Sequence, residues 1–334
     1  MKISLILGIY NAERTLNECL ESIFNQNYSK RDYEVIIIDG GSTDSTLKIV
    51  NDFKKKNKNL KLLNNPGKLS EGKGMSKDIG VRNAKGNIVA FIDHDNIMLG
   101  NEWIKEILIP FSDKAVQASQ SMLSYRKEDS LFLKYINSIG VEDPFAVPYS
   151  LIAQVVTNPD RFDYNKKGYF TFNLNEKEAL FGGANGCAFR KNVFDKIGGY
   201  TRDVDIFYKM SQLKMEVAIP VRAKIHHKTS SDSLNYLKKK GIYFYRFITN
   251  DYKIKEFSWT SRGSGASGKI RFFIMVISNL TLIAPLLFAI KQFSKKGEFF
   301  WFLHPFYLFY ITLEYGAITL FRFRSVFWKL NDSK

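Results

Sequence analysis

Short apolar runs alternate with amphipathic stretches through the first 120 residues, and that alternation leaves few architectures open. Ile3–Ile9, Glu34–Asp39, Leu60–Leu63 and Ile88–Ile92 read as buried strands. Between them, Thr15–Asn25 sets Leu16, Cys19, Leu20 and Ile23 on one helical face, Ser42–Phe53 opens on a Ser/Thr/Asp cap, and Met75–Ala84 reads as a third helix. Strands alternating with helices predict a Rossmann-like, mostly parallel sheet with right-handed crossovers, flanked by helices. Ligands of such sheets lie beyond the carboxyl ends of the strands. The residues to read are therefore Tyr10-Asn11, Asp39-Gly40-Gly41-Ser42 and Asp93-His94-Asp95-Asn96.

The pattern weakens over 123–178, a polar, aromatic, Pro-containing stretch whose length suits a functional loop or lid. The sheet pattern resumes at Leu180–Phe189, and a helix, Val204–Leu213, follows Arg202-Asp203. This predicts one α/β domain over 1–230. The last third differs. Phe272–Ile290 carries no formal charge and Phe299–Phe321 carries only Glu314. Each is long enough for a helix to cross a hydrocarbon core of about 30 Å. The expected organisation is a basic amphipathic linker over 231–268, a hairpin of two membrane-spanning or membrane-inserted helices over 269–323, and a basic tail over 324–334. Lys291, Lys295 and Lys296 between the two runs leave open a hairpin that dips in without crossing. The soluble alternative is a pair of buried core helices.

Charge separates the candidate partners. Of 49 Lys and Arg and 33 Asp and Glu, 16 basic and 6 acidic residues fall in 231–334. Basic charge beside long apolar runs points to an anionic membrane surface and away from nucleic acid. Lys238–Lys240, Arg262 and Lys269 are the expected contacts of lipid phosphates, with an ordinary amphipathic helix over Leu234–Trp259 as the alternative. The two cysteines, Cys19 and Cys187, are too few for a disulfide framework and suit a reducing compartment. Met1–Leu7 is too short an apolar run for a signal peptide, so the α/β part is expected at the cytoplasmic face.

Asp93 and Asp95 stand at i and i+2 directly after an apolar strand. That spacing can aim one carboxylate at a ribose and the other at Mg²⁺ or Mn²⁺, ions that take carboxylate oxygens together with substrate phosphates. Acids in a loop can equally be solvated or cap the next helix. Asp39 can accept hydrogen bonds from a base or ribose, or simply close an Asx turn into Gly40-Gly41-Ser42. Lys73, between Gly72 and Gly74, can reach a phosphate or stay a surface residue.

Ile3–Glu13 with Leu16, then Val35–Asp44, then Gly80–Gly86 leading into Asp93-His94-Asp95, together resemble the glycosyltransferase family 2 pattern, strongly over 1–125 and moderately over 180–230. The resemblance implies a GT-A fold and inverting transfer of a sugar from a nucleotide donor, UDP-linked ahead of GDP-linked. Carried over residue by residue, it implies that Tyr10, Asn11 and Glu13 line the nucleoside pocket, that Asp39 binds the base, that Lys73 lies near the nucleotide, and that Asp93 and Asp95 form the ribose and metal motif. The second acidic motif stands as Gly198-Gly199-Tyr200-Thr201-Arg202-Asp203-Val204-Asp205, and Asp203 matches the catalytic base. Arg202 replaces a common Glu and the segment is shortened, so Asp205 stays a rival. The Gln-x-x-Arg-Trp motif of processive members does not follow Asp203, which favours transfer of a single sugar. Of His226-His227, His226 is the candidate that approaches metal and diphosphate, or else a buried hydrogen-bonded histidine. Gly182-Gly183-Ala184-Asn185 is the expected floor beneath the sugar, or a bend between sheet and helix.

The expected activity is transfer to a polyprenyl phosphate or a polyprenyl-diphosphate-linked saccharide. Two alternatives stay open. A nucleotidyltransferase would normally show a basic Gly-rich loop after the first strand, which Gly8–Ala12 lacks. A membrane-anchored scaffold that binds a sugar without turnover is the other.

Overall fold

The computed structural model describes residues 2–65, 67, 70, 72–174, 183–228, 233–246, 248–249 and 266–331. Eleven strands among the described residues are β1 (Ile3–Ile9), β2 (Tyr33–Asp39), β3 (Leu60–Asn64), β4 (Ile88–Phe91), β5 (Asn96–Met98), β6 (Val116–Gln120), β7 (Met122–Leu123), β8 (Tyr169–Asn173), β9 (Cys187–Arg190), β10 (Glu216–Pro220) and β11 (Lys224–His227). The α-helices are α1 (Leu16–Phe24), α2 (Thr46–Lys56), α3 (Ser76–Asn83), α4 (Trp103–Leu108), α5 (Leu131–Ser138), α6 (Leu151–Thr157), α7 (Asn192–Ile197), α8 (Asp203–Gln212), α9 (Ser233–Arg246), α10 (Ala266–Thr281), α11 (Ile283–Lys296) and α12 (Leu303–Asn331). They fall into two compact units, Met1–Ser124 with Ser150–Lys228, and Tyr125–Tyr149 with Thr229–Lys334. Residues 125–149, expected within the α/β domain, belong to the helical unit.

In the first unit the continuous apolar runs serve both faces of one sheet. Ile6, Ile36 and Ile38 join one core cluster, while the alternating Leu5, Leu7, Val35 and Ile37 join the other. The strand order is β3-β2-β1-β4-β9-β6-β10-β8, with β5-β11-β7 as a smaller sheet. β1, β2, β3 and β4 pair in parallel, but β9 enters antiparallel to both β4 and β6, and β8 antiparallel to β10. The sheet is mixed where a mostly parallel one was expected. Hydrophobic periodicity reports burial and not strand direction, so the buried apolar run Cys187–Phe189 of β9 reads the same either way. α3 sits hard against β1: a Cβ at Gly80 would stand 2.3 Å from Ile6 Cγ2. Glycine there lets the helix approach, and that approach carries Lys77 into the site.

The stretch 123–178 is more regular than its sequence suggests. It holds α5, α6 and β8, with Ser130 and Ser150 capping the two helices by accepting from the Leu133 and Ala153 amides. Leu180–Gly182 of the expected strand lies outside the described residues. Of its described remainder only Cys187–Phe189 is strand, in β9, while Gly183–Gly186 form a bend and turn with one bridge from Asn185 to Phe91.

In the second unit the expected membrane hairpin is not formed by two straight spans. The first apolar run breaks at Leu282, where φ is +62°, and α10 and α11 meet at a 75° bend. Pro285, in the first turn of α11, has no N–H to give the carbonyl four residues back, so a continuous helix would leave Thr281 unpaired there. The second run begins as a 3₁₀ turn over Phe299–Phe302 before α12, and α12 continues to Asn331 through the expected tail. Among the described residues no single helix is long and apolar enough to cross a membrane. The linker does contain a helix, α9. Its Lys240 does not face lipid: it is buried and donates to Glu142 Oε2 at 2.9 Å. Arg262 and Trp259 lie outside the described residues. So does the Lys269 side chain. Tyr135 Oη pairs with His304 Nδ1 at 2.8 Å, Tyr125 Oη donates to Glu298 Oε1 at 2.8 Å, and Tyr315 donates to Asp143. These bonds fasten the 125–149 excursion to the C-terminal helices.

Candidate active site

The carboxyl ends of β1 and β2 make a polar rim. Asn11, in a left-handed conformation with φ +48°, accepts from the Thr43 amide at 2.9 Å, and its own amide donates to Ser42 Oγ at 3.0 Å. Glu13 accepts from the Ser45 amide at 2.9 Å. Asp39 accepts from the Gly41 amide at 2.9 Å and from Ser42 Oγ at 2.6 Å, so it closes the Asx turn that its sequence context allows. The loop thus holds Tyr10, Asn11, Glu13 and Asp39 as one constellation. Tyr10 is half exposed, at 49%.

A second constellation gathers where β4 ends. Lys77, on α3 and only 1% exposed, donates to both carboxylate oxygens of Asp203 at 3.1 Å and lies 3.3 Å from Asp93 Oδ1. Tyr200 donates its hydroxyl to Asp203 Oδ1. Beneath the ammonium lies the Phe91 ring, 5.9 Å to its centroid, and Tyr200 packs edge-on to Phe91 at 5.0 Å. Two carboxylates distant in sequence are thus clamped by one buried cation over an aromatic floor, where charge interactions are stronger than in water. Burial raises the Asp93 pKa, the Lys77 ammonium opposes that, and the Asp203 and Asp95 carboxylates add to the rise.

Asp95 forms the third element. Its backbone carbonyl accepts from the Lys228 amide at 2.7 Å, fixing the loop to the end of β11, and Oδ2 stands 3.2 Å from His227 Nε2. The ring next to the acidic pair is therefore His227's and not His226's. Successive side chains alternate across a strand, so β11 presents one histidine to Asp95 and turns the other away. Asn185 Oδ1 accepts from the Asp93 amide at 3.1 Å and from Asn96 Nδ2 at 3.0 Å, pinning the loop from the β9 side. Gly183 lies beside the base candidate, where a Cβ would be 3.9 Å from Asp203 Oδ2. Gly182 is outside the described residues.

Of the acids after Gly198-Gly199, Asp203 opens α8 and joins the cluster, while Asp205, two residues on in the same first turn, is 2% exposed. Lys73 is exposed in its loop, and the cation that meets the acids is Lys77. Sequence reasoning missed Lys77 because Lys77-Asp78 looks like an ordinary charged surface pair. The available signal was Gly80 one turn on, which marks the helix face pressed against the sheet. Thr15, whose Oγ1 lies 2.8 Å from His94 Nδ1, was also missed.

The arrangement can hold a carboxylate ready to take a proton and set an oxygen donor and an imidazole side by side near it. The profile described as Glycosyl transferase family 2 matches residues 4–198. A poly(ribitol-phosphate) beta-glucosyltransferase of Bacillus spizizenii is 36% identical over 171 residues, 51% of this chain and 24% of that one. A dolichyl N-acetyl-alpha-D-glucosaminyl phosphate 3-beta-D-2,3-diacetamido-2,3-dideoxy-beta-D-glucuronosyltransferase of Methanococcus voltae is 38% identical over 87 residues, 25% of this chain and 26% of that one. The matched segments span about a quarter of each relative. Among solved structures, a mannosyltransferase from Pyrobaculum calidifontis in complex with GDP-Man and Mn²⁺ superposes with a TM-score of 0.55 at 14% identity, over 94% of this chain and 86% of that one. At that identity the likeness is one of fold.

Proposed function

The chain belongs to glycosyl transferase family 2; from that premise we propose that it is a glycosyltransferase that moves a single sugar from a nucleotide-sugar, with inversion, to a lipid-linked acceptor at the cytoplasmic face of a membrane. The observation that carries the reading is the clamp of Asp203 by Lys77 and Tyr200 beside Asp93, with the Asp95–His227 pair adjoining.

Asp203 is the general base. It takes the proton of the acceptor hydroxyl as that oxygen bonds to the anomeric carbon, while the bond from that carbon to the nucleoside diphosphate breaks on the opposite side. Lys77 and Tyr200 hold both carboxylate oxygens in place before substrate arrives, which is the preorganisation such a step needs. The rim of Tyr10, Asn11, Glu13 and Asp39 holds the nucleoside, and Asp93 the ribose.

A divalent cation fits Asp95 and His227, a carboxylate oxygen and an imidazole nitrogen 3.2 Å apart. Among the described residues no group of three His, Cys, Asp or Glu converges to form a complete protein cage. The remaining positions would fall to diphosphate oxygens and water, the usual pattern for Mg²⁺ and Mn²⁺ at nucleotide sites. Bound there, the ion would neutralise the charge of the departing diphosphate. The Pyrobaculum structure, similar in fold and holding Mn²⁺, supports this.

The acceptor reading draws on two relatives, one named for a dolichyl-linked sugar phosphate and the other for a ribitol-phosphate polymer. The exposed apolar residues of the helical unit favour the lipid-linked kind. The test is nucleoside diphosphate release from UDP- and GDP-sugars with Mn²⁺ or Mg²⁺ and a polyprenyl-linked acceptor, wild type against Asp203→Asn. Release that needs the lipid acceptor and is abolished by the substitution and by chelator is the expected result. Transfer to a water-soluble polyol-phosphate polymer at the same rate overturns the acceptor assignment, and equal release by Asp203→Asn overturns the base.

A further inference from the structure

The bend at Leu282 leaves large apolar side chains in the open on both of its arms. Ile277 and Leu280 on α10, and Ile283, Leu286 and Leu287 on α11, are each 39 to 65% exposed and flank the break within one or two turns. Phe273 and Ile274 extend this surface along α10, and Phe306, Leu313 and Leu320 form a further apolar stripe along α12 at helical spacing. Charge lies only at the outer ends of the two arms: Lys269 and Arg271 stand near the start of α10, and Lys291, Lys295 and Lys296 are exposed at the far end of α11. From Phe272 to Ile290 there is none.

We propose that α10 and α11 form a re-entrant wedge that enters one leaflet of an anionic bilayer, apex first, and leaves on the side it entered. This rests on the membrane reading above and specifies its geometry. The apolar part of α10, Phe272–Thr281, is about 15 Å long and α11 about 21 Å. With their axes bent by 75° and the apex down, the arms reach roughly 9–13 Å into the layer, against about 15 Å for the hydrocarbon of one leaflet. Neither arm reaches the other side. The helix ends at the break are tolerable in lipid only if few backbone groups are freed, and Pro285 removes one donor that would otherwise need a partner. The wedge is held from its inner side: Asn279 donates to Thr312 Oγ1 of α12 at 3.1 Å, and Pro285, Ala289 and Gln292 are buried. A second copy is the rival occupant of this face. The excess of 16 basic over 6 acidic residues in 231–334 sets two copies against each other and draws the unit to anionic lipid.

The full-length protein is mixed with preformed vesicles of phosphatidylcholine with 30% phosphatidylglycerol and floated on a density gradient. Wild type is expected to float, and Ile283→Asp/Leu287→Asp to lose at least tenfold in the bound fraction at an unchanged melting temperature. A milder variant, Leu287→Asn, gives an intermediate loss if the double variant fails to fold. Single cysteines at Asn59, in the first unit, and at Ser294, at the end of α11, are then labelled with a membrane-impermeant maleimide in cells. Labelling of both from the same face is expected. Labelling from opposite faces overturns the wedge while leaving membrane attachment intact. Absence of wild-type flotation overturns membrane attachment itself, and a wild-type dimer that the double variant dissociates, with flotation unchanged, assigns the face to a second copy instead.

Discussion

Among the described residues each unit buries a lysine against one or more carboxylates, and the two lysines sit in opposite settings. Lys77 faces Asp93 and Asp203, which come from the end of β4 and the start of α8, at a crevice that must open to substrate. Lys240, also buried, meets Glu142 and fixes one stretch of chain against a helix. In the proposed mechanism one cation holds groups that change partners during the reaction. The other closes a joint with nothing left to exchange. A buried ion pair is therefore no sign of function by itself; what marks Lys77 is a second carboxylate and a neighbouring pair, Asp95 and His227, that a substrate complex would complete.

The contrast breaks most readily at the acids. Asp203→Asn is expected to lower kcat about 10²–10⁴-fold, the range for loss of a general base, with the melting temperature nearly unchanged. Glu142→Gln should do the reverse, and equal losses of turnover in both would dissolve the distinction. Next comes Lys77→Met, expected to lower kcat about a hundredfold while also destabilising the fold by about 2 kcal/mol, because two carboxylates are left facing each other without a cation. Lys77→Arg should restore most of the stability and part of the rate; full restoration of both would reduce Lys77 to a structural residue.

Lys240→Met sharpens the other side, costing about 1–2 kcal/mol in thermal unfolding since the Glu142 side chain is partly exposed and can rehydrate. Burial works against the Lys240 charge, but Glu142 and Asp143 outweigh it and raise its pKa above the ordinary 10.5. A base whose folded pKa is raised contributes fully below its unfolded pKa and loses that contribution as pH climbs through the folded value. The stability difference between wild type and Lys240→Met should therefore be flat from pH 6 to 9 and narrow only above about pH 10.5. The smallest effect falls on the histidines: His227→Ala should raise the Mn²⁺ needed for half-maximal rate by about tenfold, and His226→Ala should leave it alone.

What the sequence discloses follows the physics of each signal. Continuous apolar runs name β1, β2 and β4, and the residues after a buried strand are the ones a sheet presents to ligands, so Tyr10, Asp39, Asp93 and Asp95 were legible. Asp203 was legible as a helix N-terminal acid after a glycine pair. Lys77 was hidden because α3 is weakly amphipathic and its Lys77 and Asp78 are buried by the close approach at Gly80, which is a property of the packed fold. The choice between His226 and His227 depended on which strand pairs with β11, and no local pattern states that. In the C-terminal third, counting charges saw two spans, whereas Pro285 was the residue that decided whether the first could continue.

The excursion of Tyr125–Tyr149 bears on how such a protein can be inherited. The chain crosses between the units after Ser124, again after Tyr149 and a third time after Lys228. A cut at 228 would strip the C-terminal helices but leave behind the excursion, whose Tyr135, Ile136 and Ile139 are buried in the intact fold. The helical unit is thus not a cassette that recombination can append or delete at one joint. It can be exchanged only together with the insert between β7 and α6, so descent should keep the two segments matched to each other even where the sheet between them diverges.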